Sequence, residues 1–223
     1  MKNKFLKKII GIFGYKLIEK NVFKNNKSLS RFTSLNLNKI LEILFTNYKI
    51  NQVIQIGAND GKSFDEINHY IKKNHTNSVL VEPIKNNFEV LKKNYENCNF
   101  IKFENSAISV NNEISYLYKV NPKHEALYGS HIPAIPSFEK KHLINHGVKN
   151  RHILKEKINS ISIKDLIIKY KFNNFDLFFI DAEGYDGKIV YDFLSNLDIR
   201  PIIIFEYIHI DNNFFEHLLE KLK

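Results

Sequence analysis

Gly57 and Gly61 stand four residues apart in the stretch VIQIGANDG, Val53 to Gly61, and an apolar run leads straight into them. Glycine permits positive φ and lets a ligand approach the backbone closely. A helix opening at such a turn aims its free N–H groups at whatever binds there. Glu82 follows 25 residues after Gly57, at the tip of the next apolar run, SVLVEP. An acid at that place can accept both hydroxyls of a ribose. The alternative for Glu82 is a surface or helix-capping acid. Turn and acid together describe a site for a nucleoside-containing cofactor. The dinucleotide signature needs a middle glycine that this loop lacks. GKS at 61–63 has the letters of a phosphate loop, but its first glycine sits four residues back instead of five. S-adenosylmethionine carries no pyrophosphate and asks for fewer glycines and one acid, so the loop fits that cofactor best.

The second chemistry-bearing group closes the apolar run DLFFIDAEG. Asp181 and Glu183 are at i and i+2, and on a strand such residues point the same way. Methyl transfer is an in-line displacement at a sulfonium carbon, with the acceptor hydroxyl held about 3 Å from the methyl and losing its proton. A carboxylate raised in pKa by apolar surroundings can take that proton. Asp181 is the first candidate for general base, and Glu183 a candidate substrate or structural ligand. The alternative is that both acids cap the helix beginning near Tyr185. Glu206 and His209 end a later apolar run. They could join Asp181 around a divalent metal, or His209 could be the base, or it is a solvated strand end. His142 and His146, at i and i+4, can face one ion from a helix, but two ligands alone make no metal site, and a surface pair is expected. Tyr128 and His131 are expected to line an acceptor pocket under a lid.

The elements that must position these residues follow from the spacing of apolar residues. Helical spacing covers 36–48, with Asn36 or Asn38 as cap, then 61–74, 84–97, 160–171, 185–197 and a last stretch from Asn212. Short apolar runs between them predict strands in 51–56, 78–83, 99–109, 175–184 and 200–211, with a further strand in 112–120. Strands alternating with helices predict an α/β fold, a mostly parallel Rossmann-like sheet with helices on both faces. In such sheets ligands bind beyond the carboxyl ends of the strands, where Gly57, Glu82, Asn105, Asp181 and Glu206 fall. Residues 121–158 hold three of the five prolines and five of the nine histidines. They show no strand pattern and are expected to be a loop-and-helix insertion.

The 223 residues suffice for one domain with a full core. A single cysteine, Cys98, rules out a disulfide framework within the chain and fits a reducing, cytoplasmic setting. Residues 1–49 carry 11 Lys/Arg against 2 Asp/Glu, whereas residues 50–223 carry 22 of each. The whole net charge of +9 therefore sits on an N-terminal arm, and the body has no net field for a polyanion, which argues against nucleic acid. In the arm, Phe5, Leu6, Ile9, Ile10, Phe13 and Leu17 share a helical face opposite Lys4, Lys7 and Lys8. Such a helix lies on an anionic membrane surface, at the inner face, or docks on its own domain or a twin subunit. Its apolar run is too short to span a bilayer.

The ordered set VIQIGANDGKSF, LVEPIKNNFEVLKKNY, NSAIS, SISIKDLI and DLFFIDAEGYDGKIVYDF resembles the FkbM-type methyltransferases. The resemblance covers roughly Ile50 to Glu216, most of the body at 50–223. It implies a class I, S-adenosylmethionine-dependent fold and O-methylation of a small-molecule or sugar hydroxyl. It also implies that Gly57, Ala58, Asn59 and Gly61 wrap the methionine part, that Glu82 takes the ribose, that Ile84 packs on the adenine, and that Asn105 and Ser106 lie at the adenine edge. The family usually has an acid two residues before the first glycine. This chain has Gln55 there, with Asp60 or a water as substitute. The family also tends to continue past the last helix into a further strand pair, where this sequence ends at Lys223. The rivals are an inactive cofactor-binding partner protein, an NAD-type oxidoreductase and an RNA methyltransferase.

Overall fold

Strands buried on both faces read as mostly apolar runs, and the central runs of this chain do so, with Gln55 and Ser78 as buried polar exceptions. In the computed structural model, residues 36–110, 115–129, 132 and 135–222 are described. In chain order they form α1 (Leu37–Asn47), β1 (Gln52–Ile56), α2 (Asn68–Asn74), β2 (Asn77–Val81), α3 (Lys85–Asn94), β3 (Ile101–Glu104), β4 (Ala107–Ile108) and β5 (Ser115–Val120). Then come α4 (Lys140–Asn145), β6 (Ile153–Ile158), β7 (Ser160–Ile161), α5 (Ile163–Tyr170), β8 (Leu177–Ile180), α6 (Asp186–Asn196), β9 (Ile202–Phe205) and α7 (Asn212–Leu222). Five strands make one sheet in the order β3-β2-β1-β8-β9, every pair parallel. The fold is α/β and Rossmann-like.

Alternation along the strands assigns the two faces. Ile54, Ile56, Val79, Val81, Phe178 and Ile180 pack with Leu166, Phe193 and Leu218 of α5, α6 and α7. Val53, Leu80, Ile101, Leu177 and Phe179 pack with Leu41, Ile71, Leu91 and Tyr95, on the side of α1, α2 and α3. The covering helices thus change face between β1 and β8, and that switch opens a crevice at the carboxyl ends of the strands.

Three expectations are corrected. The helix foreseen over 61–74 begins only at Asn68. Asp60 Oδ1 takes the N–H groups of Lys62 and Ser63, at 2.9 and 2.6 Å, and Asp65 Oδ1 takes that of Asn68, at 3.1 Å. Such bonds compete with a helix ladder. Phe64, expected on the core face, has φ +56° and is exposed. Within 121–158, β6 pairs antiparallel with β5 from Ser115↔Ile158 to Val120↔Ile153. That ribbon and α4 enclose an apolar cluster of their own, Val120, Ile132, Leu143 and Val148. The described residues of the insertion form a cap that has the expected helix and also a strand, which the sequence did not signal.

The arm boundary at residue 49 is the third. Asn36 caps α1 by accepting the Lys39 N–H at 2.9 Å, Leu41 is wholly buried against the sheet, and Phe45 stacks on Tyr70 at 5.3 Å. Helix α1 belongs to the body. The basic amphipathic stretch in 1–35 lies outside the described residues. Leu41→Ala is expected to cost about 2–5 kcal/mol in urea unfolding; a loss within about 0.5 kcal/mol, the range of surface changes, would detach α1 from the core. Among the described residues no helix is long and apolar enough to cross a membrane.

Candidate active site

Beyond the carboxyl ends of β1, β2 and β8 lies a cavity of about 930 Å³, its open mouth included. Its floor is made by Ile56 and Gly57, Val81 to Pro83, and Asp181 to Glu183. The three strands meet at Gly57. Its N–H and that of Ala58 both donate to the Val81 carbonyl at 3.0 Å. Its φ is +77°, and a Cβ there would stand 1.8 Å from the Asp181 carbonyl oxygen. Only glycine fits this junction.

Glu82 is held from both sides by the turn and by α3. Its Oε2 accepts the Asn59 N–H at 2.9 Å and its Oε1 the Ile84 N–H at 2.8 Å. A carboxylate has about four lone-pair sites, so acceptor capacity remains toward the cavity. Burial pushes its pKa up to about 7, against the two N–H bonds, which lower it. Asn59 also lines the cavity; its Oδ1 accepts from Asn87 Nδ2 at 2.9 Å. Ser106 lines the cavity, and its hydroxyl donates to Glu104 Oε1 at 2.7 Å.

Other residues singled out from the sequence stand behind the wall. Ala58 is buried in the core with Leu91 and Tyr95. Asp60 spends its side chain on the turn. Gly61 leaves room for Leu91, whose Cδ1 a Cβ would meet at 2.5 Å. Ile84 packs with Ala107, Leu117 and Ile158 and offers Glu82 only its N–H. Asn105 buttresses the β2 exit, its amide donating to the carbonyls of Glu82 at 2.8 Å and Pro83 at 3.2 Å. Gln55 is buried away from the cavity wall and donates to Asp65 Oδ1 at 3.1 Å.

Asp181 and Glu183 lie past the end of β8, not on it, and Glu183 has φ +48°. The i, i+2 argument therefore does not apply, yet both line the cavity. The turn is shaped by Asp186, fully buried, which accepts the N–H groups of Ala182 at 3.1 Å and Gly184 at 3.2 Å. The helix-start role considered for Asp181 and Glu183 falls to Asp186. Burial, and then the charges of Glu183, Asp186, Glu206 and Glu66, push Asp181 up to about 8. Burial, then Glu206 and Asp186, push Glu183 up to about 8 as well.

A second cavity, of about 670 Å³, shares Phe138 and Glu183 with the first. His142 and His209 line it, and His142 is buried, so the expected surface pair is corrected. The His142 ring lies 4.5 Å from that of His146 and 4.6 Å from that of His209. Burial holds His142 and His209 below the usual histidine range. His209 does not line the first cavity. Glu206 Oε2 stands 3.6 Å from His209 Nε2.

Tyr128 is not a wall of either cavity. Its hydroxyl lies 2.7 Å from His152 Nδ1 and accepts the Lys149 N–H at 3.0 Å, inside the cap. His131 lies outside the described residues. The cap reaches the first cavity through Ile135, Pro136 and Phe138 instead. Sequence reasoning missed these, as it missed Phe64, Asn87 and Asp186. For Asp186 the signal was present, an acid in the first turn of a helix. For Asn87 it was a polar residue in the turn after Glu82.

A family model described as "Methyltransferase FkbM domain" matches residues 55–223. No curated protein matches the chain significantly.

Proposed function

The chain belongs to the FkbM methyltransferase family, and from that premise we propose that it moves the methyl group of S-adenosylmethionine to a hydroxyl oxygen, on a sugar of a surface glycan or its precursor. The observation that carries this reading is a single cavity at the carboxyl ends of the strands lined by both Glu82 and Asp181.

The cavity wall suits this cofactor. Three carboxyl groups, Glu82, Asp181 and Glu183, face a ligand that is cationic at sulfur and at its amino group. Among the described residues lining the cavity there is no Lys or Arg. Helix α2 starts seven residues after Gly61. A dinucleotide's pyrophosphate would find no cation among the described lining residues and no helix opening at the glycine turn, which disfavours the NAD reading. When bound, the cofactor supplies an electrophilic methyl on a sulfonium sulfur, and S-adenosylhomocysteine is the second product.

The chain's own residues do the rest. Glu82 accepts the ribose hydroxyls. Gly57 and Asn59 flank the methionine part, and Ser106 offers a polar atom beside the apolar Pro83, Ile108 and Leu117, where the base would lie. Asp181 takes the proton from the acceptor hydroxyl. Glu183, next to it, orients the acceptor. Ile135, Pro136 and Phe138 of the cap keep water away. The reading of an inactive partner protein rested on Gln55 and on the end of the sequence at Lys223; of these, Gln55 does not line the cavity. The basic arm would hold the enzyme at membrane-borne glycan intermediates, and removing residues 1–30 would then abolish vesicle binding.

The test is a product assay. The purified chain is given methyl-labelled S-adenosylmethionine and a panel of nucleotide-linked and lipid-linked sugars. Label in an acid-stable methyl ether, with S-adenosylhomocysteine in equal amount, is expected. Label only on amine acceptors would reassign the reaction to nitrogen.

A further inference from the structure

We propose that the imidazoles of His142, His146 and His209 bind one first-row divalent transition-metal ion, beside the first cavity and flanked by Glu183 and Glu206. The nitrogen atoms that the three rings offer all lie within 4.8 Å of one another. Glu183, Glu206 and His209 form a second such group that shares His209. In the bound form each nitrogen would lie about 2.0–2.1 Å from the ion, so the rings would turn toward it.

The rings are prepared for ligation. His146 Nδ1 lies 2.9 Å from the His142 carbonyl oxygen. A carbonyl only accepts, so the proton of a neutral His146 ring is on Nδ1 and its Nε2 is bare. A hydrogen bond of this kind fixes the tautomer and orientation of metal-binding histidines. His142 is 8% exposed, and its Nε2 is buried with no hydrogen-bond partner. Glu183 Oε2 stands 3.3 Å away from that nitrogen. That nitrogen thus has a carboxylate beside it but no hydrogen bond, a place where a cation would satisfy both groups.

Three imidazoles with carboxylates alongside select zinc, cobalt or iron over magnesium or calcium. Glu183 belongs to both cavities, so the ion would stand at the acceptor end of the first. Its role with the acceptor rests on the transfer reaction proposed above; the binding does not.

The experiment uses the full chain without a histidine tag, stripped with chelator and titrated with cobalt(II). One equivalent is expected to bind with an intense ligand-field absorption band, without any methyl donor present. His146→Ala and His209→Ala are each expected to weaken cobalt binding more than about tenfold, as loss of a ligand exceeds loss of a supporting bond. His69→Ala, on the exposed side of α2, should bind as the native chain does. His146 is only half-buried at the end of α4, so its variant should keep the native circular dichroism and S-adenosylmethionine binding. No band, or equal affinity in His146→Ala, would overturn the site. Failure of methyl transfer with cobalt binding intact would leave the site standing and count against the proposed reaction alone.

Discussion

Asp181→Asn is expected to lower methyl transfer by about 10²- to 10⁴-fold, the usual weight of a general base. Asparagine keeps the size of the side chain but cannot take a proton. Cofactor binding, carried by Glu82, should stay near the native value. The pH profile sharpens the test. In the free enzyme, burial and the charges of Glu183, Asp186, Glu206 and Glu66 hold the Asp181 carboxyl at about 8. Below that pH it is protonated and cannot act as base. Native kcat/KM should therefore rise with pH through about 8, and the variant should lose that limb. Stability should move the other way. The folded chain binds this proton more tightly than the unfolded one. Stability then falls as pH rises from the ordinary carboxyl range toward about 8. Asp181→Asn removes that loss and should melt higher than the native chain at alkaline pH. An unchanged rate, or a native profile flat through neutral pH, would remove Asp181 from the mechanism.

The second large effect is structural. Gly57→Ala is expected to destabilise the fold by about 3–5 kcal/mol and to abolish cofactor binding. The new Cβ would stand 1.8 Å from the Asp181 carbonyl oxygen and 2.9 Å from its carbon. Both are backbone atoms of the neighbouring strand exit, which no rotamer change can move. Either β1 and β8 part or the turn reopens, and each shifts Glu82 through Asn59. Gly147→Ala is the control. That glycine also has positive φ, at +84°, but a Cβ there meets nothing within 4 Å. It should cost only the backbone strain, about 1–2 kcal/mol. Urea midpoints read both. Equal losses at the two positions would mean that conformation, not contact, requires glycine at the junction.

What the sequence made legible follows the physics of burial. Strands β1, β2 and β8 are mostly apolar because helices cover both faces, so their ends, and with them Gly57, Glu82 and Asp181, could be located by inspection. Positions set by competition between side chain and backbone could not. Asp60 and Asp65 delay α2, and nothing in the residue types of 61–67 reveals that balance. The positive φ of Asn59, Phe64 and Glu183 is imposed by the folded turns around them. Strand β6, ILKEKI, is exposed at three of its six residues, and its apolar residues do not alternate, so they do not signal a strand. The histidine cluster joins α4 to the loop after β9. Only the topology brings those segments together.

The central claim is that Glu82 holds the ribose of S-adenosylmethionine. Calorimetry with the native chain, Glu82→Gln and NAD tests it most directly. The native chain should bind one S-adenosylmethionine with a Kd on the order of micromolar. The variant should lose about tenfold or more, the worth of hydrogen bonds to a charged group. Native affinity should also fall as pH drops through about 7, where the Glu82 carboxyl takes a proton and loses acceptor capacity. NAD should give no heat. Equal binding by native chain and variant, or no binding of S-adenosylmethionine at millimolar concentration, would contradict the assignment.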